Sequence, residues 1–266
     1  MNRLTATLIT RNEEKNLPRA LASLAGLADE IVVVDSGSTD RTCAVARQHG
    51  ARVVERAWTD FSDQKNFAAA QASHDWILNL DADEELSPEL QAEVRGWKEE
   101  TPAAVAYAMP RKARYLGRWI LHSGWYPDRK VRLYRRDRAR FVGALHESVA
   151  VEGPVGRFRG DFYHYTFATL AEHAAQIDSY TTRAAAQLFA RGRRHWLLPL
   201  VFSPPWMLLR TYVLEQGFRD GVAGWWIARL TARASFLKYA KLRRLVRGSR
   251  LGEKAPLPTP PAPRPR

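Results

Sequence analysis

Four carboxylates follow directly on a short apolar run in the first half of the chain. The run Ile77-Leu78-Asn79-Leu80 leads into Asp81-Ala82-Asp83-Glu84-Glu85. A short apolar run bounded by charge is typical of a buried strand, and open α/β sheets bind ligands beyond the carboxyl ends of their strands. On a regular strand Asp81 and Asp83 point to the same side, and carboxylate oxygens are ligands that Mg²⁺ or Mn²⁺ prefers. The run therefore predicts a site for a divalent cation and a phosphate-bearing ligand. The alternative is an acidic loop before the helix start at Ser87-Pro88.

Two other polar clusters follow predicted strands in the same way. Thr10-Arg11-Asn12-Glu13-Glu14 comes after the strand pattern 4–9, and Asp35-Ser36-Gly37-Ser38-Thr39-Asp40 comes after the β-branched run Ile31-Val32-Val33-Val34. Strand and helix patterns alternate four times up to Asp81, which predicts βαβ units and a parallel sheet with these clusters at one edge. A turn followed by a helix cap would also explain the composition of the second cluster. No G-x-G-x-x-G or Walker lysine motif is present, which disfavours a Rossmann dehydrogenase or a P-loop enzyme.

Charge is divided unevenly along the chain. The formal net charge is +13, but residues 1–100 contribute 11 Lys and Arg against 18 Asp and Glu, so residues 101–266 carry the remaining 30 against 10. A strongly basic half is typical of proteins that bind nucleic acid or an anionic membrane surface. Cys43 is the single cysteine, which excludes an internal disulfide and suits a reducing compartment. Because no signal-peptide pattern opens the chain, we expect a cytoplasmic location.

In order and spacing, the polar clusters resemble the nucleotide-sugar motifs of family 2 glycosyltransferases with the GT-A fold. The resemblance rests on Thr10 to Glu14, Val34 to Asp40, Lys65-Asn66 and Asp81-Ala82-Asp83. It assigns nucleotide-sugar binding to Thr10, Arg11, Asn12, Glu13, Asp35, Ser36, Gly37, Asp40, Lys65, Asp81, Ala82 and Asp83. It implies that Glu13 and Asp35 hold the uridine and that Lys65 lies near the nucleotide or its phosphates. It also implies that Asp81 and Asp83 form the D-x-D motif, with Asp83 as the direct metal ligand. The sequence departs from the family pattern at Ser36, where many members have a second Asp.

The acceptor chemistry is assigned to His146-Glu147. In the subgroup resembling lipopolysaccharide core β-glucosyltransferases, a His-Glu pair at this place is the catalytic-base motif. An inverting transfer needs one carboxylate to take the proton of the acceptor hydroxyl, and we expect Glu147 to do so, with Glu84 or Glu85 as alternatives. Lys65, and either Arg132 or Arg135, are expected to assist the leaving diphosphate. The predicted metal ligands are Asp83, Asp81 and His164, although His164 could equally be a core residue.

The second half of the chain predicts antiparallel strands and then helices. Alternating patterns at 105–109, 130–134 and 148–151 are expected to extend the sheet on the acceptor side. Helices are expected from Leu170 toward Ala190 and over 222–246. The stretch 196–209 has no charged residue but is too short for a confident membrane span, so an interfacial or re-entrant segment is expected there. Aromatic residues and cations occur together over 222–246, which favours a helix there that lies on a membrane surface over aromatics that simply pack on the catalytic domain.

These patterns divide the chain into three parts. Residues 1–165 are expected to form a GT-A α/β catalytic domain with a mixed, mainly parallel sheet flanked by helices. Within it, 1–100 would bind the nucleotide-sugar and 101–165 the acceptor. Residues 166–247 would form a helical membrane-associating extension, and the Pro-rich residues 248–266 a disordered tail.

The expected function is an inverting, Mg²⁺- or Mn²⁺-dependent transferase. It would move glucose from UDP-glucose onto a lipid-anchored saccharide on the inner face of the cell membrane. The resemblance implies that this acceptor is the lipopolysaccharide inner core. A polyprenyl-phosphate glycosyltransferase is the alternative acceptor class, and two full C-terminal membrane helices would favour it. A basic nucleic-acid-binding protein is the alternative from another class, but no base-reading module matches and no nucleic acid is expected. A scaffold with an inactive site is disfavoured by the intact Asp81, Asp83 and Glu147.

Overall fold

The computed structural model describes residues 1–143 and 147–250. The strands within these residues are β1 Leu4–Thr10, β2 Glu30–Asp35, β3 Arg52–Glu55, β4 Trp76–Asn79, β5 Glu84–Leu86, β6 Ala106–Tyr115, β7 Arg118–Trp119, β8 Asp128–Arg135, β9 Ala139–Val142, β10 Ser148–Val151, β11 Val155–Arg157 and β12 Phe162–Phe167. The helices are α1 Leu17–Leu24, α2 Thr42–Gln48, α3 Phe61–Ala70, α4 Pro88–Glu99, α5 Leu170–Ala190, α6 Leu197–Leu209 and α7 Gly221–Arg250. A π-helical turn, Arg210–Leu214, and a 3₁₀ turn, Gly217–Asp220, lie between α6 and α7.

The main sheet is mixed, with a parallel half and an antiparallel half. Its strand order is β3-β2-β1-β4-β8-β6-β12-β5, with β7 and β11 paired to β6. β1 pairs in parallel with β2 and β4, and β2 with β3, so the first four strands form the predicted parallel set. β8 then pairs antiparallel with both β4 and β6. The carboxyl ends of β1, β2 and β4 consequently lie at one edge, as the alternation of strands and helices predicted.

The β-branched run of β2 shows why this strand is central. Val32, Val33 and Val34 have no solvent exposure. Val33 packs with Leu8 and the leucines of α1 on one face of the sheet, whereas Val32 and Val34 pack with Ala68 of α3 on the other. Side chains of a strand alternate between faces, so a continuous apolar run is buried only where both faces are covered.

The antiparallel part differs from expectation at one strand. β6 and β8 extend the sheet as predicted, but β10 pairs with β9 in a separate two-stranded sheet. The expectation that 148–151 extends the main sheet is therefore wrong. Alternation along a strand predicts which face is buried and leaves the partner strand unspecified, because any neighbour that covers the apolar face satisfies the pattern.

The described residues form two compact units. The first comprises Met1–Lys112 and Asp128–Tyr165, apart from 144–146, and the second comprises Ala113–Pro127 and 166–250. The helix predicted from Leu170 toward Ala190 is confirmed as α5, and the one predicted over 222–246 is α7. The functional roles expected for the parts of the chain stay predictions, and 251–266 of the predicted tail lie outside the described residues.

Candidate active site

Asp35, at the end of β2, is held by its own loop and by the neighbouring strand. Its Oδ1 accepts a hydrogen bond from the Thr10 hydroxyl at 2.9 Å, and its Oδ2 accepts from the backbone N–H groups of Gly37 and Ser38 at 3.0 and 2.7 Å. The Ser38 hydroxyl also donates to Oδ1. Gly37 takes a φ of 79°, a region that glycine enters without steric cost. The structure thus brings Thr10 and Asp35 together, and here Asp35 fixes the shape of the loop. Its predicted contact with the uridine stays a prediction.

The loop after β1 is tied to the loop after β2 by side chains of the first cluster. Asn12 Oδ1 accepts from the Thr39 N–H at 2.8 Å, and the Asn12 N–H donates to the Ser38 hydroxyl at 2.8 Å. The Glu13 N–H donates to the Thr42 hydroxyl at 2.7 Å. Because these bonds join positions about 27 residues apart in sequence, the two clusters form one continuous rim.

Asp40 ends this rim directly before α2, which begins at Thr42. Its Oδ1 accepts from the Thr42 N–H at 3.0 Å, and its Oδ2 from the Glu14 N–H at 3.3 Å. Burial alone would raise the pKa of Asp40, but these hydrogen bonds outweigh burial and lower the pKa. The carboxylate is therefore ionised at neutral pH and stabilises the first turn of α2. Arg11 and Ser36 lie in the same rim, Arg11 partly exposed and Ser36 buried where it accepts from Gln64 Nε2 at 3.0 Å.

Asp81 and Asp83 lie on a turn beyond the strand. β4 ends at Asn79, so the expectation that both carboxylates project from one face of a regular strand is wrong. Asp81 Oδ1 lies 2.8 Å from Lys65 Nζ, and its Oδ2 lies 2.9 Å from Arg132 Nη2. Burial favours the neutral form, but the charges of Lys65 and Arg132 outweigh it and hold the pKa of Asp81 well below its usual value. Asp81 is therefore the shared counter-ion of two buried cations, and its predicted role as a metal ligand stays a prediction.

Arg132, on β8, connects the end of β4 with the start of β5. Besides Asp81, its guanidinium donates to Glu84 Oε1 at 2.6 Å and to Asn79 Oδ1 at 3.2 Å. The side chain of Arg132 is 6% exposed and that of Glu84 is fully buried. Desolvation would lower the pKa of Arg132, but the charges of Glu84 and Asp81 outweigh it and raise the pKa above its ordinary value. Arg132 thus holds the turn that carries both aspartates.

Lys65 links the donor-side turn to the predicted catalytic base. Its side chain has no solvent exposure, and its Nζ contacts Glu147 Oε1 at 2.6 Å as well as Asp81. Glu147 is 28% exposed, so its carboxyl group is held by a buried cation and still reaches solvent. The structure therefore brings Lys65, Asp81 and Glu147 into one cluster. His146, the other predicted member of the base motif, lies outside the described residues.

Helix α3 positions both Lys65 and the segment before Glu147. The Asn66 side chain forms two hydrogen bonds with the backbone of Phe141 on β9, at 2.9 and 2.8 Å, and the Ser62 hydroxyl donates to the Gly143 carbonyl at 2.6 Å. Ser62, Lys65 and Asn66 are spaced i, i+3 and i+4, so they lie on one face of the helix. One turn of α3 accordingly anchors β9 and Gly143, which precede Glu147 in the chain.

Asp83 and His164 form the pair best suited to a divalent cation. Asp83 Oδ2 lies 3.3 Å from His164 Nε2, and both side chains are largely buried. Burial lowers the pKa of His164 to about 4 against the opposing effect of Glu84, so the imidazole is neutral at pH 7 and offers a lone pair. His164 Nδ1 is buried without a hydrogen-bond partner among the described residues. Those residues contain no cluster of three or more His, Cys, Asp or Glu suited to a metal ion. Because a cation of this kind is commonly bound by one or two carboxylates plus substrate phosphates, Asp83, with the neutral imidazole of His164 beside it, fits a cation that arrives with a diphosphate.

The alternative bases and assisting cations have other partners. Glu84 is buried in its contacts with Arg132 and Asp81, so it cannot reach an acceptor. Glu85 accepts from the Tyr165 hydroxyl at 2.6 Å. Arg135 pairs with Asp137 at the surface, so the expectation that it assists the diphosphate is not supported by its position. Burial raises the pKa of Cys43 to about 11, which keeps the thiol protonated, as expected for a packing residue.

Comparison with known proteins shows the family to which the chain belongs. The family model described as Glycosyl transferase family 2 matches residues 5–165, which is more than half of the chain. The chain belongs to glycosyl transferase family 2. Its α/β architecture, a mixed curled sheet flanked by helices, is the GT-A fold of that family, and the chain is a glycosyltransferase.

Two bacterial relatives whose names describe glycosyltransferases match nearly the whole chain. The chain is 31% identical over 271 residues to an uncharacterized glycosyltransferase, RT0209, of Rickettsia typhi, covering 94% of this chain and 90% of that protein. It is 33% identical over 257 residues to the lipopolysaccharide core biosynthesis glycosyltransferase LpsC of Rhizobium meliloti, covering 90% and 91% respectively. A crystal structure of residues 1–349 of S. aureus TarS in complex with UDP-GlcNAc is similar at a TM-score of 0.46 and 16% identity, covering 94% of this chain and 92% of that one.

Two positioning residues of the site were not assigned a role from the sequence. Ser62 and Asn66 were not connected with the base, although their helical spacing around Lys65 was a usable signal. Arg132 was considered only as an aid to the leaving group, whereas the structure shows it holding Asp81 and Glu84. Alternation on β8 indicates which face Arg132 occupies, but its two acidic partners belong to a turn about 50 residues earlier in the chain.

Proposed function

We propose that this glycosyltransferase is an inverting enzyme that moves glucose from UDP-glucose onto a lipid-anchored saccharide. The observation that carries the proposal is the placement of Asp83 and His164, suited to a cation-bound diphosphate, beside the cluster that holds Glu147. The ordered nucleotide-sugar motifs of the first 83 residues support a UDP-sugar donor. The name of LpsC supports the lipopolysaccharide inner core as the acceptor.

The reaction is a single displacement at the anomeric carbon. Glu147 takes the proton of the acceptor hydroxyl, the oxygen of that hydroxyl forms the new bond to C1, and the bond between C1 and the diphosphate oxygen breaks. UDP leaves with the electron pair of that bond. Since one carboxylate and one displacement are sufficient, no covalent intermediate on the enzyme is needed and the anomeric configuration is inverted.

The buried cations have separate roles in this scheme. Lys65 holds the Glu147 carboxyl group and Asp81 in fixed positions, so that the base does not turn away from the acceptor. Arg132 keeps the turn carrying Asp83 in place through Asp81 and Glu84. Asp83 and His164 would hold Mg²⁺ or Mn²⁺, which supplies neutralisation of the charge that develops on the leaving diphosphate.

We place the enzyme in the cytoplasm, on the inner face of the cell membrane, where a lipid-anchored acceptor and a nucleotide-sugar are both accessible. The basic second half of the chain, with 30 Lys and Arg against 10 Asp and Glu over residues 101–266, supports contact with an anionic surface. The lone cysteine agrees with a reducing compartment.

Donor binding tests the first part of the proposal. Protection of the full chain from thermal unfolding is measured with UDP-, GDP- and ADP-sugars, each with and without Mn²⁺. We expect UDP-sugars to raise the melting temperature only when the cation is present. In the Asp83→Asn variant, we expect this cation-dependent rise to be lost. No response to any nucleotide would contradict the proposal.

Transfer chemistry tests the second part. Glu147→Gln is expected to lower kcat by roughly 10²- to 10⁴-fold, because the acceptor hydroxyl loses the group that takes its proton. Glu152→Gln is the matched control, since Glu152 lies five residues further on and is exposed. Equal activity of the two variants would exclude Glu147 as the base. Presenting a core saccharide and a polyprenyl phosphate as acceptors in the same assay separates the two acceptor classes.

A further inference from the structure

Large apolar side chains line one face of α6 and are exposed to solvent. No residue of Leu197–Leu209 is buried, and Leu198 and Phe202 are 68% and 64% exposed. Leu198, Phe202, Trp206 and Leu209 recur at intervals of three or four residues, so they lie on one side of the helix. We call this the α6 apolar face. Val213, Leu214, Phe218 and Val222 continue the exposed apolar surface beyond the helix. Soluble proteins rarely expose a contiguous patch of this kind without a partner.

Cations flank the α6 apolar face on both sides. Arg191, Arg193 and Arg194 are exposed immediately before α6, and Arg210 and Arg219 are exposed after it. An apolar face bordered by arginines matches an anionic bilayer, in which acyl chains receive the apolar groups and phosphate headgroups receive the guanidinium groups. A protein partner would not require this border of charge on both sides.

Length and composition alone allow a second arrangement, in which the segment crosses the bilayer. In the described part of the chain, Leu197–Leu214 is the one helical stretch long and apolar enough to do so, with a mean hydropathy of 1.3 over 18 residues. At 1.5 Å per residue it reaches about 27 Å, close to the roughly 30 Å thickness of the hydrocarbon layer. Packing of the flanking residues decides between the two arrangements.

Helix α5, which precedes α6, and helix α7, which follows it, pack against each other. Lys241 Nζ on α7 lies 2.7 Å from Asp178 Oδ1 on α5. Ala185 of α5 is buried against Leu242 and Val246 of α7. A single crossing by α6 would place α5 and α7 on opposite sides of the membrane, which these contacts exclude.

The end of the segment is also tied to residues that precede α6. Asp220, which is 2% exposed, accepts hydrogen bonds from the N–H groups of Leu121 and His122 and from the Ser123 hydroxyl. The Ser123 N–H donates to the Glu215 carbonyl at 2.8 Å. Residue 215 directly follows the apolar stretch, so both of its ends belong to the same folded body.

We propose that α6 is a one-leaflet anchor. It lies in the plane of an anionic membrane with its apolar face among the acyl chains and the flanking arginines at the headgroups, and it does not cross the bilayer. The biological purpose of the anchor rests on the proposed lipid-anchored acceptor, but its existence can be tested without transferase activity.

Vesicle flotation of the full chain tests the membrane contact. We expect binding to phosphatidylcholine vesicles containing phosphatidylglycerol, weaker binding to phosphatidylcholine alone, and a loss with rising salt. The double variant L198E/F202E is expected to bind at least about tenfold more weakly, because two apolar groups are replaced by charges that the acyl region excludes. V155E is the matched control, since Val155 is 45% exposed but lies on β11 of the other unit. Binding of L198E/F202E equal to that of the wild type would overturn the proposal.

Cysteine labelling tests the topology. In a Cys43→Ser background, R193C and R219C place one thiol on each side of the apolar stretch. Membranes from a bacterial host expressing each variant are treated with a membrane-impermeant maleimide as inside-out vesicles and as spheroplasts. We expect both thiols to react in inside-out vesicles and neither in spheroplasts. Reaction of one thiol in each preparation would show a crossing helix and overturn the one-leaflet arrangement.

Protection by UDP-sugars against thermal unfolding is measured on the same preparations. If vesicle binding fails while the nucleotide response is retained, the anchor is wrong and the proposed function stands. If the nucleotide response fails while vesicle binding is retained, the proposed function is wrong and the anchor stands.

Discussion

Replacing Arg132 by methionine should destabilise the first unit severely. The methionine fills much of the space of the arginine stem but leaves Glu84, which is fully buried, without the guanidinium that lies 2.6 Å from it. Asp81 keeps Lys65 as a partner, so the main unpaired charge is that of Glu84. Removing one partner of a buried ion pair costs about 3–5 kcal/mol, a large share of a total stability of about 5–15 kcal/mol.

The measurement is urea unfolding of the full chain followed by circular dichroism, with hydrogen exchange of β4 and β8 peptides reporting on this region. Arg135→Met is the control on the same strand, because Arg135 and Asp137 are 42% and 53% exposed and an exposed pair contributes at most about 1 kcal/mol. Adding Glu84→Gln to Arg132→Met should restore much of the loss, since the buried carboxylate is replaced by a neutral amide. If Arg132→Met costs less than about 1 kcal/mol, or Glu84→Gln restores nothing, the unpaired charge is not the cause and the reasoning is refuted.

Three further predictions concern stability and the cation. Burial lowers the pKa of His173 to about 4, so the unfolded chain binds a proton more readily below pH 6.5, and this residue should remove about 2 kcal/mol of stability between pH 8 and pH 5. Urea unfolding of His173→Gln at both pH values should show a smaller pH dependence by that amount, and an unchanged one would contradict the assignment. A Cβ on Gly224 would overlap the Gly217 carbonyl oxygen, so Gly224→Ala should lower the melting temperature, with stability reduced by about 1–3 kcal/mol, whereas Gly96→Ala, which meets no atom within 4 Å, should not. Replacing His164 by Gln should weaken Mn²⁺-dependent UDP binding in calorimetry at pH 7 and leave any metal-independent nucleotide binding intact; equal Mn²⁺ dependence would remove His164 from the cation site.

The parallel half of the fold was accessible from the sequence because its signals are local. The β-branched run of β2 requires cover on both faces, and the alternation of strands and helices fixes which strand ends meet. The sequence therefore places Thr10 and Asp35 at one edge of the sheet, and their hydrogen bond confirms that placement. Family resemblance then supplied roles that periodicity cannot encode.

The arrangement of charges in the site was not accessible in the same way. Asp81 and Asp83 are two residues apart, yet one contacts Lys65 and Arg132 and the other contacts His164. The chain leaves the extended conformation at Asn79, and a turn directs neighbouring side chains to different partners. The spacing of residues in the sequence determines the direction of their side chains only within a regular helix or strand. The pairing of acidic residues with buried cations therefore depends on the tertiary structure.

The buried ammonium group of Lys65 makes two otherwise separate carboxylates interdependent. Neutralising Asp81 leaves Glu147 as the sole counter-ion of that ammonium group, and neutralising Glu147 does the converse. Paired replacements should then deviate from the sum of the single ones, because both remove balance from the same cation. With the proposed roles, an engineer who replaces Asp81 to accept another sugar would also change the surroundings of Glu147, the proposed base, without touching that residue.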